Sequence, residues 1–188
     1  MTTRRTHAPH AAQLQQPGRR KLLVVGAGLG LAALLPGCTT APRRTVPVTL
    51  DLEYRVGADA NPDPNGRPSP VLVRIYKLRK LEQFKVMDYF ALSAQPNHAE
   101  FSLEEEFSLQ PGAQGRRSYT LEPDQIGFGV VAAYRDIGIS RWRASEELPP
   151  LKVSRIKLPE VLTRADPVMS YRLDVGRNQL ALARLERR

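Results

Sequence analysis

From residue 46 to residue 56 the chain alternates without a break: Val46, Val48, Leu50, Leu52, Tyr54 and Val56 take the even positions, and Thr45, Pro47, Thr49, Asp51, Glu53 and Arg55 the odd ones. Successive side chains of a strand point to opposite faces, so this is a strand with one buried face, and that face needs a second layer to cover it. Pro47 has no amide hydrogen for a ladder and argues for a sheet edge at the strand's start. Further strand-like runs are 71–78, 104–109, 117–121, 126–134, 151–158, 170–175 and 179–184. The run Ile126-Gly-Phe-Gly-Val-Val-Ala-Ala-Tyr134 is apolar on both phases, which predicts a central strand covered on both faces. The fold class is therefore mainly β, a two-sheet sandwich of about eight short strands. Lys80-Leu-Glu-Gln-Phe-Lys-Val-Met-Asp-Tyr-Phe-Ala-Leu92 interrupts it, with Leu81, Phe84, Met87 or Asp88, and Ala91 at helical spacing. This predicts one inserted helix packed on the sandwich edge. The sixteen prolines gather in the connections, so the fold is loop-rich.

Upstream, residues 1–21 are polar and basic and lead into Leu22–Leu35, an uncharged run of 14 residues. As a helix it would span about 21 Å, short of the roughly 30 Å hydrocarbon core, so residues 1–37 are expected to be a signal peptide. Leu35-Pro36-Gly37-Cys38 resembles the lipobox of bacterial lipoproteins, although Pro36 replaces the usual small residue, and Cys38 is the only cysteine of the chain. The resemblance implies a thioether-linked diacylglycerol and an amide-linked acyl chain on Cys38, and three chains hold a protein on a bilayer. Thr39 stands where an Asp would retain an enteric lipoprotein in the inner membrane, so outer-membrane residence facing the periplasm is expected. Gly18-Arg19-Arg20-Lys21-Leu22-Leu23 also resembles a twin-arginine export signal, beside the ordinary route. Residues 38–45 are then a lipidated tether, and 46–188 the sandwich domain with its insertion near 80–92.

The formal charge of +9 suggests a nucleic-acid or membrane-surface binder until its distribution is counted. Five basic residues and no acid precede residue 38, so the remainder carries 23 basic against 19 acidic residues, an ordinary balance. No nucleic-acid partner is expected. One Cys and three His exclude a zinc site of the usual Cys/His kind, an intrachain disulfide and an iron–sulfur cluster, and no metal or cofactor is expected besides the lipid on Cys38. Glu104-Glu105-Glu106 reads as a solvated strand face, because at most Glu104 and Glu106 converge. His98 reads as a solvated or locally bonded loop residue with no nucleophile beside it. Asp136 reads as an ion-pair partner for a nearby Arg. Arg141-Trp142-Arg143 offers flat faces that could stack on a base or a sugar, against packing of Trp142 on the sandwich rim. No phosphate loop, nucleophile elbow or paired-acid motif occurs, so the chain is not expected to be an enzyme.

Between the first two strands, Asp63-Pro64-Asn65-Gly66 fits a type I turn position by position: Asp at i, Pro at i+1, Gly at i+3. Pro62, Pro64, Pro68 and Pro70 stiffen the connection 58–69, which lowers the entropy that binding would cost. The residues allow two readings, a preorganised binding loop and a rigid hairpin without a partner. As a surface connection it is expected to carry few buried contacts.

Asn61-Pro-Asp-Pro-Asn-Gly-Arg-Pro-Ser-Pro70 followed by Val71-Leu-Val-Arg-Ile-Tyr-Lys-Leu78 resembles the TssJ family, outer-membrane lipoproteins of the type VI secretion system. The resemblance continues through Phe90-Ala-Leu92, Leu109-Gln-Pro-Gly112, Ile126 to Ile137 and Trp142-Arg143, and agrees with the lipobox. It implies a transthyretin-like β-sandwich with a helical addition and no catalytic activity. It further implies binding to the periplasmic part of the inner-membrane protein TssM, to which the loop after the first strand contributes, within a complex containing other type VI membrane subunits. Transferred to this chain, the contact residues are Asn61, Pro62, Asp63, Asn65, Gly66 and Arg67. The alternative function is a transthyretin-like periplasmic lipoprotein that binds a small ligand or glycan through Trp142 and its flanking arginines.

Overall fold

The computed structural model describes residues 46–149 and 167–186. The elements run β1 (Val48–Val56), β2 (Val71–Leu78), α1 (Glu82–Val86), α2 (Tyr89–Ala94), β3 (Asn97–His98), β4 (Phe101–Leu109), β5 (Gln114–Leu121), β6 (Gly127–Ala133), β7 (Arg143–Glu147), β8 (Val168–Val175) and β9 (Leu180–Leu185). Two sheets form, one of order β5-β1-β8-β9 and one of order β3-β4-β2-β6-β7. Neighbours pair antiparallel except β1 and β8, which run parallel.

The inward phases of both sheets meet in one core. Val48, Leu50 and Leu52 of β1, Val71, Val73 and Ile75 of β2, Phe128 and Val130 of β6, and Tyr171, Leu173 and Val175 of β8 are all buried there. Phe128 meets Tyr171 edge to face at 5.0 Å. The odd residues Thr49, Asp51 and Glu53 stay partly exposed on the outer face of β1, as the alternation requires. Each leucine fully buried in this way contributes about 1.5–3 kcal/mol.

The strand β6 is covered on both faces, as its doubly apolar run predicts. Phe128 and Val130 enter the sandwich core, while Val131 enters a second cluster with Tyr76, Leu78, Phe84, Leu92 and Phe101. That cluster fills the space between the five-stranded sheet and the helical insertion. Tyr76, Phe84 and Phe101 form an aromatic triangle with ring centroids 5.3–5.8 Å apart. Phe84 lies so close to the sheet that a Cβ at Gly129 would come within 2.3 Å of its ring.

Several expectations are corrected. β1 is an interior strand, not an edge: it begins at Val48, one residue after Pro47, so the missing amide removes no ladder bond. Val46, placed on the buried phase by the alternation, is 43% exposed. The insertion lies on the outer face of the five-stranded sheet and not at an edge, and it is two helices. The backbone turns extended at Met87, and the Asp88 carboxylate accepts the Ala91 amide at 2.8 Å to cap α2. An aspartate gains more at an N-cap than inside a helix, and the buried residues become Leu81, Phe84 and Leu92. β3 and β7 are additional. The expected strand 151–158 lies outside the described residues.

Candidate functional site

β1 ends at Val56, β8 runs parallel to it and ends at Val175, and β6, antiparallel to β2, ends beside the residue where β2 begins. The connections 57–70, 134–142 and 176–179 therefore converge at one end of the sandwich, joined by the β4–β5 turn through Val56 N to Ala113 O at 2.9 Å. The chain enters β1 at the other end.

The loop 57–70 has a buried base and an exposed tip. At the base, Ala60, Asn61 and Ser69 are buried, and the Ser69 amide donates to Ala60 O at 3.1 Å. Asn61 joins three connections: its own amide donates to Arg177 O at 2.9 Å, its Nδ2 to Pro70 O at 2.6 Å, and its Oδ1 accepts the Arg135 amide at 2.8 Å. Its φ of 49° lies in the left-handed region, which Asn tolerates better than most side chains. The expectation of few buried contacts is thus corrected for the base, where tertiary hydrogen bonds replace water.

The tip has the turn that the sequence predicts. The Gly66 amide donates to Asp63 O at 2.8 Å, closing the type I turn, and Gly66 itself sits at φ 80°. Asp63 Oδ1 accepts the amides of Asn65 and Arg67, each at 2.9 Å, and Asp63 Oδ2 accepts Arg67 Nε at 3.0 Å. The Arg67 amide, above all, holds the Asp63 carboxyl below its ordinary pKa, with the Arg67 side chain and the Asn65 amide adding to it. Pro64, Asn65, Gly66 and Arg67 face solvent, while Pro62 is half-buried. Of the six loop residues singled out, the structure presents Asn65, Gly66 and Arg67 outward, turns Asp63 back onto the loop, and buries Asn61.

Tyr134 and Ile139 belong to the same end and carry no local sequence signal. The Tyr134 hydroxyl donates to Gly176 O at 3.2 Å, and burial pushes its pKa well up. Arg141 N donates to Asn178 O and Leu180 N to Arg141 O, both at 2.9 Å, which fastens the connection after β6 to the β8–β9 turn. An open depression of about 350 Å³ lies there, lined by Ile139, Arg141, Arg177, Asn178 and Gln179.

The other singled-out residues are spent on the fold. Arg143 reaches from β7 over α1 and donates to Phe84 O and Met87 O, both at 2.6 Å, and to Lys85 O. It supplies the last turn of a five-residue helix with the partners its carbonyls lack. Trp142 is half-buried against both apolar clusters, with Tyr89 edge-on at 5.5 Å and the Arg143 guanidinium 4.7 Å from its ring. Glu104 and Glu106 lie on an exposed strand face, as expected, where they pair with Lys77 and Arg74, while Glu105 points the other way and pairs with Arg117. Glu105 also accepts the Tyr119 hydroxyl at 2.7 Å, so it ties β4 to β5 of the facing sheet. His98 Nδ1 accepts the Glu100 amide at 3.2 Å and its ring stacks on Phe101. Asp136 makes no ion pair among the described residues. Among those residues no cluster of three or more His, Cys, Asp or Glu could hold a metal ion, and no helix is long and apolar enough to cross a membrane.

The family model described as T6SS-SciN, type VI secretion lipoprotein (VasD, EvfM, TssJ), matches residues 48–176, from the start of β1 to the first residue after β8. The chain belongs to this lipoprotein family. Its fold is shared with the T6SS lipoprotein TssJ1 of Pseudomonas aeruginosa, at 23% identity and a TM-score of 0.64 over 76% of this chain and 99% of that one. Lip of Serratia marcescens, a membrane-bound component of the type VI secretion system, is similar at 22% identity and a TM-score of 0.60, covering 73% of this chain and 97% of that one. A chain from the structure described as the TssM C-terminal domain from EAEC matches at 25% identity and a TM-score of 0.54, over 73% of this chain and 98% of that one. No curated protein sequence matches. This family member is accordingly a type VI secretion lipoprotein with the TssJ-type β-sandwich fold.

Proposed function

We propose that this lipoprotein is a non-enzymatic structural adaptor of the type VI membrane complex, anchored to the outer membrane by acyl chains on Cys38 and bound to the periplasmic part of a TssM-like inner-membrane protein through its loop end. The observation that carries the reading is the polarity of β1. The strand begins at Val48, ten residues after Cys38, and runs nine residues to Val56, where the loop 57–70 starts. At about 3.3 Å per residue, β1 sets its two ends roughly 30 Å apart. Residues 39–45 reach at most about 25 Å. The anchor therefore holds one end of the sandwich near the bilayer and leaves the converging loops at the other, facing the periplasm and a partner that rises from the inner membrane.

The loop tip suits such a contact because its shape is set before binding, by the Asp63 hydrogen bonds and two prolines, so little conformational entropy remains to be lost. Within this reading Asn65, Gly66 and Arg67 touch the partner, Pro62 and Asp63 hold the tip in shape, and Asn61 holds the loop to the body. The structures of TssM and of the type VI membrane complex among the similar chains support a TssM-like partner and other membrane-complex subunits. The glycan-binding alternative needs Trp142 and both flanking arginines; Tyr89 packs edge-on against half-buried Trp142 and the Arg143 guanidinium is engaged by the α1 carbonyls, which leaves only Arg141 exposed. Two measurements test the proposal. The full chain, purified in detergent, should capture a periplasmic TssM fragment. Cys38→Ser should abolish acyl labelling and outer-membrane fractionation, and normal fractionation of that variant would refute the anchor.

A further inference from the structure

Beside the proposed docking loop, the depression at Ile139 is held by main-chain hydrogen bonds that leave the side chains of Ile139 and Arg141 unused among the described residues. Ile139 is 71% exposed, in a domain whose other large apolar side chains are mostly inside. Two arginines line the same depression, and no carboxylate does. Arg141 uses its main chain to join two loops, but its guanidinium has no ion pair or hydrogen bond among the described residues. Arg177 has only a long contact of 3.9 Å to Asp59, with both side chains more than half exposed, a pair that contributes little and is easily exchanged. An exposed apolar side chain flanked by guanidiniums with no firm partner is a surface that gains from being covered, because a carboxylate can take a guanidinium with two parallel hydrogen bonds.

The depression is also continuous with the docking loop. The Arg177 carbonyl accepts the Asn61 amide, and the Arg135 amide bonds Asn61 Oδ1, so the depression borders the base of the loop whose tip is 62–67. The Arg67 guanidinium, 76% exposed, adds positive charge on the tip itself. The exposed apolar pair Val86 and Phe90 on the helical insertion has no such setting, since nothing in the structure says what covers it.

We infer that the depression formed by Ile139, Arg141 and Arg177 is a second contact site for the same TssM-like partner, and that it receives an acidic segment whose carboxylates meet the two arginines and whose adjoining apolar side chain covers Ile139. The inference rests on the proposed function and deepens it: the loop tip supplies shape, and this site supplies charge selection.

The test is a calorimetric titration of the full chain in detergent with the periplasmic fragment of the TssM-like protein, at about 50 and 300 mM salt. Ile139→Ser, Arg141→Glu and Arg177→Glu should each weaken binding roughly tenfold or more. Arg141→Lys, which keeps the charge but loses the two-pronged fork, should weaken binding less than Arg141→Glu does, and the two Glu variants should flatten the salt dependence. Phe90→Ser, on α2 and outside the lining of the depression, should bind as the unaltered chain does. Because Arg141 holds its neighbours through main-chain atoms, the variants should fold, and Trp142 fluorescence checks this. The inference is overturned if the unaltered chain binds, a flexible replacement of 62–67 weakens it, and Ile139→Ser and Arg141→Glu leave affinity unchanged; the proposed function then stands alone. It is equally overturned if affinity does not fall with salt. Failure of the unaltered chain to bind overturns both.

Discussion

Asn61 joins three connections at the loop end, and its removal tests whether the loop 57–70 is held by the body or only by itself. Asn61→Ala would leave the Pro70 carbonyl and the Arg135 amide without their partners and would place an alanine at φ 49°. Each lost hydrogen bond costs about 1 kcal/mol, rising toward 2 where water cannot replace it, and left-handed backbone adds roughly 1 for alanine. The expected loss is about 3–5 kcal/mol. Asn61→Gly removes the same two bonds without the backbone strain, so it should cost about 1 kcal/mol less. Urea unfolding followed by the fluorescence of Trp142, the one tryptophan of the chain, measures both. A cost below about 1 kcal/mol for Asn61→Ala, or equal costs for the Ala and Gly variants, would contradict the role of Asn61.

Three further outcomes follow from the geometry. Gly129→Ala should destabilise the domain by about 1–3 kcal/mol, because the new methyl meets the Phe84 ring, and Phe84→Leu in the same chain should recover part of that loss in a double-mutant cycle. Arg143→Ala should leave the sandwich folded but speed hydrogen exchange at 82–94, since α1 loses its carbonyl partners; unchanged exchange there would contradict the capping role. Asp63 has a depressed carboxyl pKa, so its contribution is present above the ordinary carboxylate value and is lost as pH falls through the lowered folded value. Below about pH 4 the tip should loosen, and Asp63→Asn should remove that acid dependence, read from amide shifts of Asn65 and Arg67.

What the sequence made legible was local. The alternation of β1, the double apolar phase of β6 and the turn Asp63–Gly66 all depend on neighbours a few residues apart, and all three appear in the structure. β7 was hidden because Arg-Ala-Ser-Glu-Glu has no apolar phase; it is held by pairing with β6, a property of the sheet and not of the segment. Pro47 misled because one residue separates a proline in a ladder from a proline just outside it. The helix break at Asp88 had a signal in a capping residue, but helical spacing across 81–91 outweighed it. The roles of Asn61, Ile139 and Arg143 were not legible at all. Their partners lie 9 and 74 residues away for Asn61 and 56 and 59 for Arg143, and only the folded chain brings them together.

The proposed contact lies between the preshaped loop tip of an anchored sandwich and a TssM-like partner. Because Ala60, Asn61 and Ser69 are buried, the decisive substitution is confined to the exposed tip, residues 62–67, replaced by Gly and Ser in equal number. The measurement is calorimetric titration of the full chain and of this variant, both in detergent, with the periplasmic TssM fragment. Saturable binding by the full chain is expected, with an affinity at least about tenfold weaker for the variant and Trp142 fluorescence showing the fold retained. Equal affinities in two folded proteins, or no binding by the full chain, would contradict it.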